Sequence, residues 1–365
     1  MTQGWAIIAA ALLLGSSTGT SWASREYFTQ EQKEQLAKAQ TVLVEVLALT
    51  DKGPSDAAPL AEAVVRRLAD AGYTVETSEA KPHEVVVKVK CEQRKTWEGT
   101  STMGSDADLP DSPSRIWKGP ACQLTYFLGG AKIKWQKEVR TDFEDAVAAA
   151  QKANAGDPGA YTMAKLKERL DQYDFPVLLA AEWGQADRLL KLMDASGTNQ
   201  LRKLQIISLL GEMLADEAMP RLKEALKDKN LAGQAAEAMG SIGKDGIPIL
   251  IDILKTSKDP ELQAAAAKGL GHVGSLHGDP SIVAPLLQML DAPGIDIRVQ
   301  TEIAWALGKL PDKRSVEPLF ALDRKLQKIR TDDPLIKKLK EAVFWAIKQC
   351  YTEDQYSYTL KHGFS

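Results

Sequence analysis

Leu231 to Gly274 reads LAGQAAEAMGSIGKDGIPILIDILKTSKDPELQAAAAKGLGHVG. An Ala-rich segment closes on Ala238-Met239-Gly240, Pro248 opens the apolar run PILIDIL, and a second Ala-rich segment closes on Gly269-Leu270-Gly271. The pattern recurs in both directions. The apolar-Gly ending occurs at Leu209-Leu210-Gly211 and again at Ala306-Leu307-Gly308, so the glycines stand 29, 31 and 37 residues apart. The Pro-led runs start at Pro220, Pro248, Pro285 and Pro318, and the first three precede their glycines by 20, 23 and 23 residues. A fixed period of about 30 residues holding two helical segments signals a stack of helix pairs.

Each part has a physical reason. Proline is tolerated in a first helical turn, where the N–H has no partner to lose. Leu, Ile and Ala at helical spacing give each helix one apolar face. Alanine lets helices approach closely, and a glycine near the helix end permits either close packing or a left-handed exit. One pair cannot bury its face alone, so the pairs must stack into a continuous core.

These residues resemble HEAT repeats, in particular the short variety named after phycobilisome lyases. The resemblance covers residues 198–351, with a less regular lead-in at 161–194, and implies an all-α superhelical solenoid that binds other macromolecules. Such repeats usually carry a Lys or Arg about eight positions before the terminal Gly. Here those positions hold Lys203, Ala232, Gln263 and Gln300, so the basic ladder is largely missing. An anionic ligand along the groove is not expected.

Upstream the pattern changes. Thr29-x-x-Gln32 is a capping box that opens a helix to Gln40. Thr41–Thr50 (TVLVEVLALT) is a β-branched run that reads as a buried strand. Leu60, Val64, Val65 and Leu68 form a helix face that ends at Gly72, and Tyr73–Ser78 is a short strand candidate. Val85, Val87, Val89 and Cys91 alternate with polar residues, as do Cys122, Leu124, Tyr126 and Leu128. Gly129-Gly130 signals a hairpin into Lys132–Val139. Thr141-x-x-Glu144 predicts a second capping box and a helix through Lys152. Residues 25–155 therefore read as a small, mostly antiparallel α+β domain placed before the helical array at 161–351, with a polar tail at 352–365. The segment 98–119 is rich in Gly, Ser, Asp and Pro and bracketed by Trp97 and Trp117. It reads as a long connection: a binding loop with aromatic edges, or an insertion pinned by its tryptophans.

The first residues differ again. An apolar run, AIIAAALLL after Trp5, is followed by the small and polar GSSTGTSWAS. Residues 1–23 are expected to be a secretory signal with cleavage after Ser21-Trp22-Ala23, which places the protein outside the cytoplasm, periplasmic or secreted. The run is short for a membrane span, and no transmembrane segment is expected after cleavage. Export permits disulfides. Cys91 and Cys122 fall on the inward phase of neighbouring strands and are expected to pair; the other reading is two buried thiols.

Charge excludes some functions. The 365 residues carry a net charge of −3, divided as −2 over residues 25–155 and −1 over the remainder. Neither part has the basic surplus of a general nucleic-acid binder. Lys88, Lys90, Lys132 and Lys134 would share the outward face of the sheet and could meet an anionic envelope surface. His272, His277 and Asp279 lie close in sequence and are weak metal candidates, lacking a Cys partner or a helical i, i+4 pair. Gly269-Leu-Gly-His-Val-Gly274 matches a dinucleotide fingerprint but follows a helix where that motif needs a strand. No catalytic motif is present, and no catalytic residue, metal or cofactor is expected. The expected function is a non-catalytic extracytoplasmic scaffold that binds a protein partner on the solenoid. The alternatives are a lyase-like or other enzyme using the repeat groove, and an envelope-surface polyanion binder.

Overall fold

The computed structural model describes residues 28–100 and 113–351. The expected signal and the tail lie outside the described residues. The chain begins with α1 (Gln30–Lys38), whose capping box forms as the sequence implies: Thr29 accepts from the Gln32 amide and Gln32 accepts from the Thr29 amide. A six-stranded sheet follows, made of β1 (Thr41–Thr50), β2 (Gly53–Pro54), β3 (Thr74–Glu76), β4 (Val85–Glu92), β7 (Ala121–Leu128) and β8 (Ala131–Arg140). Its order is β2-β1-β4-β7-β8, with β3 beside the start of β1. The outer pairs are antiparallel, but β1 runs parallel to both β3 and β4. The crossover is α2 (Ala58–Asp70), which packs on the sheet through Leu60, Val64 and Leu68. Gly72 ends this turn at φ +83°, a conformation that costs a residue without Cβ nothing.

Alternation along β4 is complete: Val85, Val87, Val89 and Cys91 are buried and their neighbours half-buried. Cys91 lies opposite Cys122 on β7, and the two are joined in a disulfide between fully buried residues. Beyond it the β4–β7 ribbon continues as a two-stranded hairpin, β5 (Lys95–Thr100) and β6 (Pro113–Lys118). The two ends of the expected long connection, 98–100 and 113–118, are therefore strand, because register with the preceding ladder outweighs the local Gly, Ser and Pro content. The expected capping box at Thr141 does not form. Thr141 Oγ1 donates to the Phe143 carbonyl, and Asp145 caps α3 (Ala146–Lys152) by accepting from Val147 and Ala148. An Asp one residue before the helix has a more direct reach to its free amides than a Thr five residues before it.

The remaining chain is helical: α4 (Pro158–Gln172), α5 (Phe175–Glu182), α6 (Ala186–Asp194), α7 (Gln200–Glu212), α8 (Met219–Ala225), α9 (Ala232–Ile242), α10 (Ile247–Thr256), α11 (Pro260–His277), α12 (Val283–Leu290), α13 (Ile297–Lys309), α14 (Val316–Gln327) and α15 (Pro334–Cys350). From α6 onward the helices pair, and each pair adds one helix to two layers. The second helices, α7, α9, α11, α13 and α15, stack directly on one another and carry most of the inter-repeat packing. Asn199, Asp259, Asp296 and Asp333 cap four of them through the first-turn amides.

The repeat glycines make that stacking possible. None of Gly211, Gly240, Gly271 or Gly308 has positive φ; all lie inside their helices, so close approach and not helix exit is their role. A methyl on Gly211 would stand 2.9 Å from Ala238 Cα, on Gly271 3.0 Å from Ala306 Cα, and on Gly308 2.9 Å from Ala346 Cα. A methyl on Gly240 would run into the backbone of Gly269. In every case the facing residue lies two positions before the next repeat's glycine. Applied to Ala346, that rule places Lys348 at the glycine position of the last helix, with its ammonium 4.5 Å from the Phe344 ring.

The hydrophobic core does not part between sheet and array. One cluster runs from Phe28 through the sheet to Ile242 in α9, and a second covers the rest of the array. The first is continuous because α5 and the Trp183 that follows it set Phe175, Leu179 and Trp183 against the sheet domain. Trp183, 2% exposed, makes edge contacts with Tyr73 and with Tyr126, each with centroids 5.5 Å apart.

Candidate functional site

Two regions gather polar chemistry: the junction between sheet and array, and the exposed face of the second-helix layer. At the junction, Gln185 precedes α6 and is 5% exposed. Its amide donates to the Leu36 and Ala39 carbonyls, 2.8 Å each, which holds the end of α1. Its oxygen accepts from the Tyr73 hydroxyl at 2.9 Å and from Arg188 Nε at 2.7 Å. Arg188 also donates to the Ala71 carbonyl and lies 3.7 Å over the Tyr73 ring. Burial pushes the Tyr73 phenol up, with the Arg188 charge opposing, so the tyrosine stays a neutral donor. Nearby, Asp174 pairs with Arg67 of α2 at 2.8 Å and with Arg202 of α7 at 2.7 Å.

A cleft of about 570 Å³ opens beside this network, lined by Gln40, Asp70, Asp187, Arg188, Lys191 and Glu217 among others. A second, of about 350 Å³, lies on the other flank of α1 against Trp183. The first has the size of a small-molecule site. Yet the Arg188 Nε, Nη1 and Nη2 groups all donate within the protein, to Gln185, Ala71 and Gln40, so its charge serves the joint.

On the second-helix layer, charges bridge successive helices. Glu237 of α9 pairs with Lys268 of α11 at 2.7 Å, Glu261 of α11 with Arg298 of α13 at 3.3 Å, and Glu302 of α13 with Lys338 of α15 at 4.0 Å. Between the last two helices, Trp305 and Trp345 meet with ring centroids 5.0 Å apart at an interplanar angle of 50°. Both are half-buried, and Trp345 sits on Gly308, whose missing side chain makes its seat. His272 lies in the same layer. Burial, with Lys309 and Lys268 adding their charge, holds its imidazole down to about 4, so it is neutral at pH 7. Burial likewise lowers the Lys309 ammonium.

The metal candidates do not converge. His277 Nε2 lies 2.9 Å from the Ser241 carbonyl, Asp279 caps Ser281 and faces Lys244 at 3.3 Å, and His272 belongs to the helix layer. Among the described residues no group of three His, Cys, Asp or Glu is placed to hold a metal ion. The Gly269–Gly274 motif lies wholly inside α11, with Gly269, Gly271 and Gly274 against Ala236, Ala306 and Leu310 of the neighbouring repeats. It is a packing motif, not a phosphate loop.

On the sheet, Lys88 pairs with Glu45 and Lys90 with Glu92, each at 2.8 Å, while Lys132 is exposed. The two strand lysines are thus partly neutralised. The side chains of Lys134, Trp97 and Trp117 lie outside the described residues. By register Trp97 faces Ile116 and Trp117 faces Thr96 across the β5–β6 hairpin, so they are not a cross-strand pair.

Sequence reading missed the junction residues Gln185 and Arg188 and the pair Trp305 and Trp345. The tryptophans had a signal: they lie one repeat apart on the polar phase of their helices. The gap in the basic ladder also has an explanation. Gln263 donates to the Leu254 carbonyl at 3.0 Å and Gln300 to the Leu290 carbonyl at 2.9 Å. Both cap the first helix of their own pair, so the position serves the repeat.

Residues 247–332 match the family model described as HEAT repeats. That match lies within an all-α solenoid of helix pairs, which continues on either side of it and follows an α+β domain. No curated protein matches the chain. No helix among the described residues is long and apolar enough to cross a membrane.

Proposed function

We propose that this protein is a non-catalytic adaptor that works outside the cytoplasm and holds a protein partner on the exposed face of its second helices. HEAT repeats suggest an interaction scaffold in general. The observation that carries the finer reading is the Trp305–Trp345 pair. Two large aromatics half-open on a helix layer, flanked by the Glu302–Lys338 ion pair, have the composition of a binding hot spot: aromatic anchors inside a charged rim. The sheet domain, fused to the first repeats through Trp183 and Gln185, would fix one end of that surface so that little order is lost on binding. The Cys91–Cys122 disulfide supports an oxidising compartment, and with it the expected signal at residues 1–23.

The test is site-specific photocrosslinking in intact cells. A photoreactive residue at position 345 should trap one discrete protein adduct that a probe at Glu317, on α14, does not trap. Trp305→Ala should abolish that adduct while leaving the circular dichroism spectrum unchanged. Equal adducts at both positions, or none at 345, would overturn the assignment of the surface. Edman sequencing of the purified native protein tests the compartment: a chain that still begins at Met1 contradicts cleavage of the signal.

A further inference from the structure

The chain carries a net −3, yet residues 323–351, which close the array, hold eight Lys and Arg against four Asp and Glu. That local surplus of four positive charges is not spread evenly. Lys340, Phe344 and Lys348 repeat every four residues along α15 and so share one face. Phe344 is 58% exposed on that face, with the Lys348 ammonium 4.5 Å from its ring. Lys340 Nζ donates to the Ile329 carbonyl at 2.8 Å, which draws the loop before α15 against the same face. Ile329 is itself 40% exposed and stands between Lys328 and Arg330. Among the described residues Lys328, Arg330 and Lys348 have no acidic side chain within ion-pair distance, although Lys337 is held by Asp332 at 2.8 Å. Glu341 is the acidic residue that dilutes the face.

We propose that this end face, with Phe344 and Ile329 set among Lys328, Arg330, Lys340 and Lys348, rests on an anionic phospholipid surface. The relief of the face selects the occupant. Its apolar side chains, Phe344 at 58% and Ile329 at 40% exposure, are exposed between cations, and neither cleft described above lies on it. A lipid interface adapts to protruding side chains. It takes apolar groups to the depth of the headgroups and attracts basic residues without demanding complementary form. The position of Lys348, where earlier helices carry the glycine that admits the next helix, closes the face to another repeat and leaves it for a different kind of contact. This reading goes beyond the adaptor function and stands or falls apart from it, since the proposed partner surface lies on the second-helix layer at Trp305 and Trp345.

The test is co-sedimentation of the full chain with vesicles of phosphatidylcholine mixed with phosphatidylglycerol, against vesicles of phosphatidylcholine alone. The chain should sediment with the anionic vesicles only, and less so as salt rises. The double variant Phe344→Ser, Lys348→Glu should lower the bound fraction about tenfold or more. Both side chains are exposed, so its circular dichroism should match the parent. Lys328→Glu with Arg330→Glu, in the loop, gives an independent check and should weaken binding in the same direction. Equal sedimentation with neutral and anionic vesicles overturns the proposal. So does a loss of binding caused by Lys132→Glu on the sheet but not by the end-face variants. Retention on immobilised poly-glutamate without vesicle binding would also overturn it, in favour of an acidic protein segment.

Discussion

The two halves of the core are cohesive for opposite reasons. Around the sheet, large side chains fill the interior: Trp183, Tyr126, Phe175 and a layer of leucines are almost wholly buried, and a disulfide ties β4 to β7. In the array, cohesion between repeats depends on side chains that are missing, since Gly211, Gly240, Gly271 and Gly308 let one helix backbone rest on the next. The first region should be sensitive to removal of atoms, the second to their addition. Size substitutions of opposite sign distinguish the two regimes.

The largest effect is expected at the junction. Trp183→Ala deletes the ring shared by Tyr73 and Tyr126 and should destabilise by about 3–5 kcal/mol, read from chemical denaturation. A loss below about 1 kcal/mol would mean the cavity collapses and the sheet and array are not truly fused. Next comes the disulfide. Cys91→Ala with Cys122→Ala frees a loop of 31 residues and should cost about 3 kcal/mol. Because one core runs from the sheet into the first repeats, the helicity of the array should melt at a lower temperature as well, and an unchanged melt would show that the two regions are independent. Gly240→Ala should cost about 1–3 kcal/mol by overpacking, because it meets the backbone of Gly269. Gly233→Ala on the same helix, where a methyl would stand 3.8 Å from Ala265 Cβ, should instead be neutral or stabilising by up to about 1 kcal/mol. If the two glycine variants behave alike, close approach is not what the repeat glycine supplies.

The last effect concerns pH. In the folded chain His272 holds its proton only below about 4, against an ordinary value of 6.5. Between these values the unfolded chain binds the extra proton and the folded chain does not, so stability rises with pH across the window. It is fully recovered above 6.5 and lowest below about 4. His272→Gln should flatten that slope in thermal melts taken from pH 4 to pH 7, and an unchanged slope would place the titration elsewhere.

What was legible in the sequence was local or periodic. The capping box at Thr29 and Gln32, the alternation of β4, the Gly-Gly turn and the repeat of glycines all express rules that act within a few residues or recur. What was hidden is set by distant partners. The parallel run of β1 against β4 depends on where α2 returns the chain, and alternation alone does not carry strand direction. The β5–β6 strands were concealed by Gly, Ser and Pro because the ladder already formed by β4 and β7 aligns them. Thr141 and Glu144 copied a capping box at the wrong place, since Asp145 competes for the same amides. The site was less legible still. Gln263 and Gln300 looked like gaps in a ladder, and only the carbonyls of Leu254 and Leu290 above them reveal their use. Trp305 and Trp345 lie 40 residues apart and become one feature only when their helices stack.

The lysine at position 348 has a consequence for the molecule as a whole. A stack that grows by backbone contact could in principle grow without limit, one chain adding its helices to the end of another. A long charged side chain where a bare Cα would be needed turns that addition into a clash, and its cation would have to be stripped of water to be covered. Covering this end of the array with another helix would therefore mean burying the cation of one lysine, a cost that the glycines of the earlier helices avoid.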